Sequence, residues 1–279
     1  MSEPNDTTSG GSVPRPATDA VDLEMRRRTR RSFFGAAVAA AAGYGGWNWL
    51  RSRRQDDGLP WPLRRVLEVN EQIARDYANP SHRAEEHAFG AAPENPRING
   101  DLGLDSNLDM ATWRLHVSGI AAPMANDGGA VALTLDDIRA LPRVDVAMRL
   151  CCIEGWSILV NWSGARFRDF VMKYPPITRS GNPPDFNRPG DLFDYVSMET
   201  PDGSYYVGLD MASAIHPQTL LCYEIDGRPL TPEHGAPLRL VIPNKYGVKN
   251  IKQIGRIRYT GVRPADYWAQ QGYDWYAGL

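Results

Sequence analysis

The sequence predicts an α+β fold in which short strands, mixed in direction, outnumber helices. Three observations predict it. From Trp113 onward the chain breaks into short apolar runs of strand character, WRLHVSG, VDVAMRLC, DYVSME, SYYVGL, TLLCYEID, LRLVI and RIRYT. Turn residues separate them, notably Pro201-Asp202-Gly203 and Asp226-Gly227-Arg228-Pro229. Helical spacing is confined to a few segments. With 279 residues and 42% hydrophobic content, the chain can bury a substantial core, as one large domain or two small ones.

Taken in order, the first twenty or so residues are polar and aperiodic. Then come Arg26-Arg27-Arg28-Thr29-Arg30-Arg31-Ser32-Phe33-Phe34 and an apolar run from Phe33 to Leu50. The Thr29–Phe34 segment resembles the bacterial twin-arginine export signal, which a receptor reads; the alternative is a charged helix start. The run is short of the roughly 20 residues of a comfortable membrane span. Trp47 and Trp49, followed by Arg51, Arg53 and Arg54, nevertheless have the pattern of interfacial anchors. Ala40–Gly43 could be a small-residue cleavage site. A cleaved signal and a retained anchor both stay open, and the indistinct cleavage signature favours the anchor. The expected location is the periplasm, reached by the twin-arginine route, with a possible anchor to the cytoplasmic membrane. Because that route carries folded cargo, it implies that a cofactor is acquired before export.

Pro62–Ala78 carries leucine, valine and isoleucine at helical spacing, an amphipathic helix. Asn79–Asp109 is rich in Pro, Asn and Gly and reads as a long loop of the functional kind. Thr134–Leu141 begins with Thr134 and has Asp137 three residues on, a capping-box-like helix start. Ala165–Lys173 reads as a second helix, and Ser213–His216 as one turn. The expected organisation is 1–54 disordered amino terminus with signal or signal-anchor, 55–94 helix and linker, and 95–279 a catalytic domain.

Residues 1–54 hold nine Lys/Arg against five Asp/Glu, leaving twenty-two basic and twenty-eight acidic residues in the body. That mildly acidic body argues against a nucleic-acid partner, which needs a clustered positive surface.

The densest chemistry lies in Met148–Asn161, MRLCCIEGWSILVN. A thiol there could ligate a soft metal or act as a nucleophile; equally, free cysteine packs as a small hydrophobe. Strand alternation lets only one of Cys151 and Cys152 look into a given pocket. With Cys222 the count is odd, and neither a disulfide framework nor a CxxC zinc pattern exists. A second stretch, His234–Lys252, places Lys245, Lys249 and Lys252 along a loop after a strand core. They could hold a phosphate or a pterin edge, or form a solvated basic face. His82, His87 and His116 lack metal-like spacing. Trp268, Tyr273, Trp275 and Tyr276 form an aromatic tail, a packing strap or a docking surface for a redox partner.

Together, Cys152-Ile153-Glu154-Gly155-Trp156-Ser157, Gly235-Ala236-Pro237-Leu238-Arg239-Leu240 and Lys245-Tyr246-Gly247 resemble the molybdenum-cofactor domain of the sulfite-oxidase superfamily. The resemblance runs from about Asn95 to Thr260, includes Ala214-Ile215-His216-Pro217, and is nearest the periplasmic methionine-sulfoxide reductase catalytic subunits. It implies a sulfite-oxidase-type fold and a molybdenum–molybdopterin cofactor. It also implies two-electron oxo-transfer on a small substrate, as a sulfoxide reductase or, alternatively, a sulfite oxidase. By the same resemblance Cys152 is the metal ligand, with pterin contacts at Thr200, His234, Arg239, Asn250, Ile251 and Lys252. Asn99, Gly100 and Asp101 form the amino-terminal contacts, or else a plain Asn-Gly turn. His234 stands where methionine-sulfoxide reductases have asparagine. A sulfite enzyme would want extra cations beside the metal, for which Arg149 and Arg166 are candidates.

Lacking a CxxCH haem motif, the chain implies a separate electron-transfer partner, such as a membrane haem protein. Without room for the dimerisation domain of eukaryotic sulfite oxidases, a monomer is expected. Two rivals remain from other classes. One is a cysteine hydrolase pairing Cys152 with His216 or His234; the other is an exported pterin-binding module without turnover.

Overall fold

The computed structural model describes residues 18–77, 83–105, 107–121 and 130–279. His82 and the start of the Asn79–Asp109 loop lie outside the described residues. The chain divides into two compact units, Met1–Arg54 and Gln55–Leu279. In the first, α1 (Thr18–Arg51) covers both the arginine-rich stretch and the apolar run. Its Phe33, Phe34, Val38, Tyr44, Trp47 and Trp49 are exposed. Among the described residues, no helix is long and apolar enough to cross a membrane.

The second unit opens with a small antiparallel pair, β1 (Gln55–Asp56) and β2 (Leu59–Pro60). The helix α2 (Trp61–Tyr77) follows, close to the boundaries its spacing predicts. Next come β3 (Glu86–His87), β4 (Leu115–Ser118) and β5 (Ala130–Leu133), then α3 (Leu135–Arg139). The predicted capping box at α3 is present: the Thr134 hydroxyl accepts from Asp137 N, and the Asp137 carboxylate accepts from Thr134 N at 2.7 Å.

The long hairpin β6 (Arg143–Cys151) and β7 (Ser157–Arg166) leads into α4 (Phe167–Lys173). β7 replaces the first two residues of the predicted Ala165–Lys173 helix. Ala165 and Arg166 pair with Leu221 and Leu220, so sheet pairing overrides their helical preference. The remaining elements are β8 (Tyr195–Glu199), β9 (Tyr206–Asp210), α5 (Met211–Ala214), β10 (Leu220–Ile225), β11 (Arg228–Pro229), β12 (Arg239–Val241), β13 (Arg256–Thr260) and α6 (Tyr267–Gln270).

Two sheets result. One runs β11-β10-β7-β6-β3 with β12 also on β10, and the other runs β5-β4-β13-β8-β9. Among the described residues only β4 with β13 is a parallel pair, so the fold is α+β with mixed sheets and few helices, as predicted. Alternation along β10 explains how the sheets pack. Leu221 and Tyr223 point into the main core shared with Val117, Val196 and Ile257 of the second sheet. Leu220 and Cys222 turn to the opposite face, joining Met148, Leu150 and Trp162 in a smaller cluster, and a register shift between Cys222 and Glu224 brings Ile225 onto that face as well. The end of that second face carries the site.

Candidate functional site

β6 and β7 close on a five-residue loop that starts at Cys152. Cys152 N donates to Trp156 O at 2.8 Å and Gly155 N to Cys152 O at 3.1 Å. Gly155 sits at φ +89°, a left-handed value that a side chain would strain. This turn decides between the two cysteines. Cys152 shares the parity of Leu150, and both line a cavity of about 410 Å³. Cys151 falls on the other parity with Arg149 and does not line it, and burial pushes its thiol pKa up.

Arg239 on β12 lies on the same sheet face, its guanidinium 4.8 Å over the Trp162 ring. It is 3% exposed. Its Nη1 donates to His234 O at 3.0 Å and Nη2 reaches Asn250 O only at 3.5 Å. Among the described residues, its Nε has no hydrogen-bond partner and no carboxylate forms a salt bridge with it. Burial lowers its pKa to about 10. Lys252 joins it in the cavity wall, pushed down to about 8 by burial and by Arg239. Its ammonium donates to the carbonyls of Asn99 (2.5 Å), Gly100 (2.8 Å) and Glu233 (2.7 Å). The first two bonds fix the 97–100 segment as the cavity's outer wall, and the third ties it to the loop of Glu233. A Cβ on Gly235 would lie 2.6 Å from Lys252 Cβ, so only glycine lets the two loops approach this closely.

The remaining wall is aromatic and backbone. Tyr205 Oη donates to Val248 O at 2.5 Å and pins the Gly247–Lys249 turn beneath the cysteine loop. Trp268 and Tyr273, edge to face at 5.2 Å, close one side. Arg97 lies 4.6 Å over the Trp156 ring at the rim, and Trp156 Nε1 donates to Glu154 Oε2.

Of the predicted site residues, Cys152, Asn99, Gly100, Arg239, Asn250 and Lys252 come together in this cavity. Asn250 contributes mainly through the loop it folds, since its Oδ1 accepts from Ile242 N at 2.8 Å. The other four lie elsewhere. Asp101 is exposed just beyond Gly100, and Ile251 is fully buried in the main core. Thr200 is fully buried, its hydroxyl donating to Asp202 Oδ1 at 2.6 Å within the β8–β9 turn. His234 lines a second cavity with Asp226, Thr231 and Glu233, on the other side of Ile98. Burial, then Arg239 and Lys252, lower its pKa, so it is neutral at pH 7.

The basic-face reading of the 245–252 loop is corrected. Lys249 is buried against Asp266 at 2.5 Å, and Lys245 lies 3.7 Å from Asp210 and over the Tyr276 ring. Both are internal struts rather than anion ligands. Arg149 bonds Ser157 Oγ and Arg166 bonds Pro217 O, and neither lines the cavity. Among the described residues, no group of three or more His, Cys, Asp or Glu side chains could hold a metal by itself. Sequence reasoning missed Arg97, Tyr205 and the positions of Trp268 and Tyr273. The aromatic tail was the one visible signal.

A buried guanidinium with an unbonded Nε and no salt-bridge carboxylate, beside a second cation, suits an anionic group such as a phosphate. An accessible thiol in the same cavity suits a soft metal. The donor set therefore fits a metal carried on a phosphorylated organic cofactor.

The comparisons agree. The family profile described as oxidoreductase molybdopterin binding domain matches residues 102–268. A putative protein-methionine-sulfoxide reductase subunit YedZ1 of Azospira oryzae is 38% identical over 172 residues, covering 61% of this chain and 58% of that protein. The protein-methionine-sulfoxide reductase catalytic subunit MsrP of Campylobacter jejuni is 32% identical over 186 residues, covering 64% and 60% respectively. The chain thus spans about three fifths of the length of these relatives. The sulfane dehydrogenase SoxCD of Paracoccus pantotrophus aligns with a TM-score of 0.45 at 18% identity, covering 56% of this chain and 40% of that one, too distant to carry weight. With more than half its length inside the matched profile, and a cavity whose thiol and cations suit such a cofactor, this chain belongs to the oxidoreductase molybdopterin binding domain family.

Proposed function

We propose that this chain is a molybdenum-cofactor-dependent oxidoreductase that performs two-electron oxo-transfer on a small substrate, reducing a sulfoxide. The observation that carries the reading is one cavity holding the Cys152 thiol together with Arg239 and Lys252, two cations without a salt-bridge carboxylate. When bound, the cofactor supplies the two-electron redox and oxygen-atom chemistry. The protein's own residues do the rest. Cys152 would hold the metal through its sulfur, the soft ligand in this cavity. Arg239 presents an unfilled donor to the pterin phosphate. Lys252 has its protons on carbonyls, so it acts on an anion through charge and by holding the Asn99-Gly100 wall.

Trp268 and Tyr273 give the cavity an apolar side suited to a thioether or sulfoxide, and they help exclude water. Arg149 and Arg166 lie off the cavity, which favours a sulfoxide over sulfite. Neither His216 nor His234 lines the cavity with Cys152, so no cysteine–histidine pair supports the hydrolase reading. The Thr29–Phe34 segment directs export to the periplasm by the twin-arginine route, and a separate membrane haem protein supplies electrons to a monomer.

The test is elemental analysis with pterin release on protein made in a host that synthesises the cofactor. Wild type carries about one molybdenum per chain, Cys151→Ala keeps it, and Cys152→Ala loses it along with sulfoxide reduction. Wild-type protein as empty as Cys152→Ala refutes the reading.

A further inference from the structure

The segment 97–105, whose Ile98, Asn99, Gly100 and Leu102 form the outer wall of the cavity, is neither helix nor strand. Its place depends on what grips it. Among the described residues, every hydrogen bond linking this segment to elements distant in sequence comes from two neighbours, Lys252 and Gln253. Lys252 holds the carbonyls of Asn99 and Gly100, and Gln253 holds Asp105 at the other end. Gln253 Oε1 accepts from Asp105 N at 2.7 Å, while Nε2 donates to Asp105 O at 3.0 Å and to Ala236 O at 3.2 Å. A primary amide suits this task, because it offers an acceptor and donors side by side, which neither a carboxylate nor a thioether does.

The backbone at Gln253 is unusual as well. The residue is 1% exposed and sits at φ +52°, in the left-handed region that few residues other than glycine adopt. Such backbone persists where surrounding contacts over-determine it, and it clusters at ligand sites. Neighbouring side chains of an extended chain point to opposite faces, whereas the bend at 252–253 brings both onto one segment. The Gln253 backbone N also donates to Gly235 O at 3.2 Å, so the same residue ties down the 234–236 turn, where the His234 carbonyl holds Arg239. Gln253 touches neither the cavity nor its cations, yet it joins the pieces that surround both.

We propose that Gln253 is a positioning residue for the anion-binding part of the cavity: its grip on Asp105 and Ala236 holds the 97–105 wall in place, and the wall in turn holds the Lys252 ammonium at the cofactor phosphate. Without the grip the wall hangs from Lys252 alone, and the ammonium moves with the carbonyls it is bonded to. This inference rests on the reading of the cavity as the site of a phosphorylated cofactor.

The test is sulfate titration calorimetry on the cofactor-free full chain, with two variants. Gln253→Met keeps the buried stem, and Gln253→Gly suits the left-handed backbone while removing the grip. Both should bind sulfate about fivefold more weakly although Arg239 and Lys252 are untouched, and the Asp105 amide should exchange with solvent about tenfold faster. In a Lys252→Met background the Gln253→Met change should cost less than about twofold in affinity, because the grip acts through the lysine. A glutamine that serves the fold alone would lower Tm and leave the affinity of the folded protein where it was. Sulfate affinity unchanged in both variants, a fivefold loss that persists in the Lys252→Met background, or failure of both variants to fold each overturns the proposal. Wild type that binds no sulfate overturns the anion-site reading itself and the proposal with it, whereas wild-type binding that both variants share overturns the proposal alone.

Discussion

Replacing Arg239 by methionine keeps the buried stem and removes the charge, which separates a residue held for a ligand from one held for the fold. The losses in the cofactor-free protein are one good hydrogen bond, Nη1 to His234 O at 3.0 Å, and the stacking on Trp162. A hydrogen bond from a charged group contributes about 1.5–3 kcal/mol, and a cation–π contact about 1 kcal/mol. The gains are an unbonded buried Nε, about 1–3 kcal/mol, and part of the cost of burying a charge without a carboxylate. Each side comes to about 3 kcal/mol, so the cofactor-free variant should match wild type within about 1 kcal/mol. For a domain of this size that is a Tm change of roughly 2–4 °C in either direction. Molybdenum content in a cofactor-making host should fall at least tenfold, because the phosphate loses its planar donor. Thermal unfolding of cofactor-free protein and metal analysis of loaded protein read the two effects separately. A fall of more than about 8 °C in the cofactor-free protein would make Arg239 a structural tie and refute the reasoning.

Lys249→Met should behave in the opposite way. It strands Asp266, which also accepts from Gly208 N and caps α6 at Ala269 N. Breaking such a buried pair costs about 3–5 kcal/mol, read as a Tm drop on the order of 10 °C. For Lys252, a folded pKa of about 8 against an ordinary 10.5 means that the fold binds fewer protons than the unfolded chain in that window. Cofactor-free stability should therefore rise as pH climbs from 8 to 10.5, while the cation is lost. Sulfate affinity of the cofactor-free protein, measured by titration calorimetry, should fall about tenfold from pH 7 to 9. A flat profile, or one unchanged in Lys252→Met, would remove Lys252 from the anion site.

Most strands were legible in the sequence, β10 with both faces buried among them; β7 was not. Residues 160–165 of β7 are buried in succession, so no two-residue period marks them, and Ala165-Arg166 looks locally helical. The capping box at Thr134 and the turns at Asp202-Gly203 and Asp226-Gly227 were readable because their chemistry is local. The cysteine pair stood out too, but which sulfur faces the cavity depends on where β6 ends. Lysine spacing misled for a different reason. Lys245 and Lys249 find their carboxylates on Asp210 and Asp266, and nothing near them in sequence announces those partners. Trp268 and Tyr273 lie in a segment that Arg64 of α2 ties down through the carbonyls of Ala269 and Tyr273, a contact across about two hundred residues of chain.

The buried cations of the body sort into two kinds, and the sorting has a thermodynamic consequence. Lys245 and Lys249 lie against carboxylates, and Arg64 is satisfied by four carbonyls. Among the described buried cations, Arg239 and Lys252 face a cavity without a salt-bridge carboxylate, although the body carries an excess of acid. Desolvation lowers both their pKa values, and Arg239 pushes Lys252 down further, so the cofactor-free fold holds them at a cost. An anion that neutralises the pair removes that cost, and binding to the folded state alone adds stability in proportion to RT ln(1 + [L]/Kd). Loading and folding are then coupled through two side chains. Wild type should gain more Tm on loading than Lys252→Met, even when both are saturated.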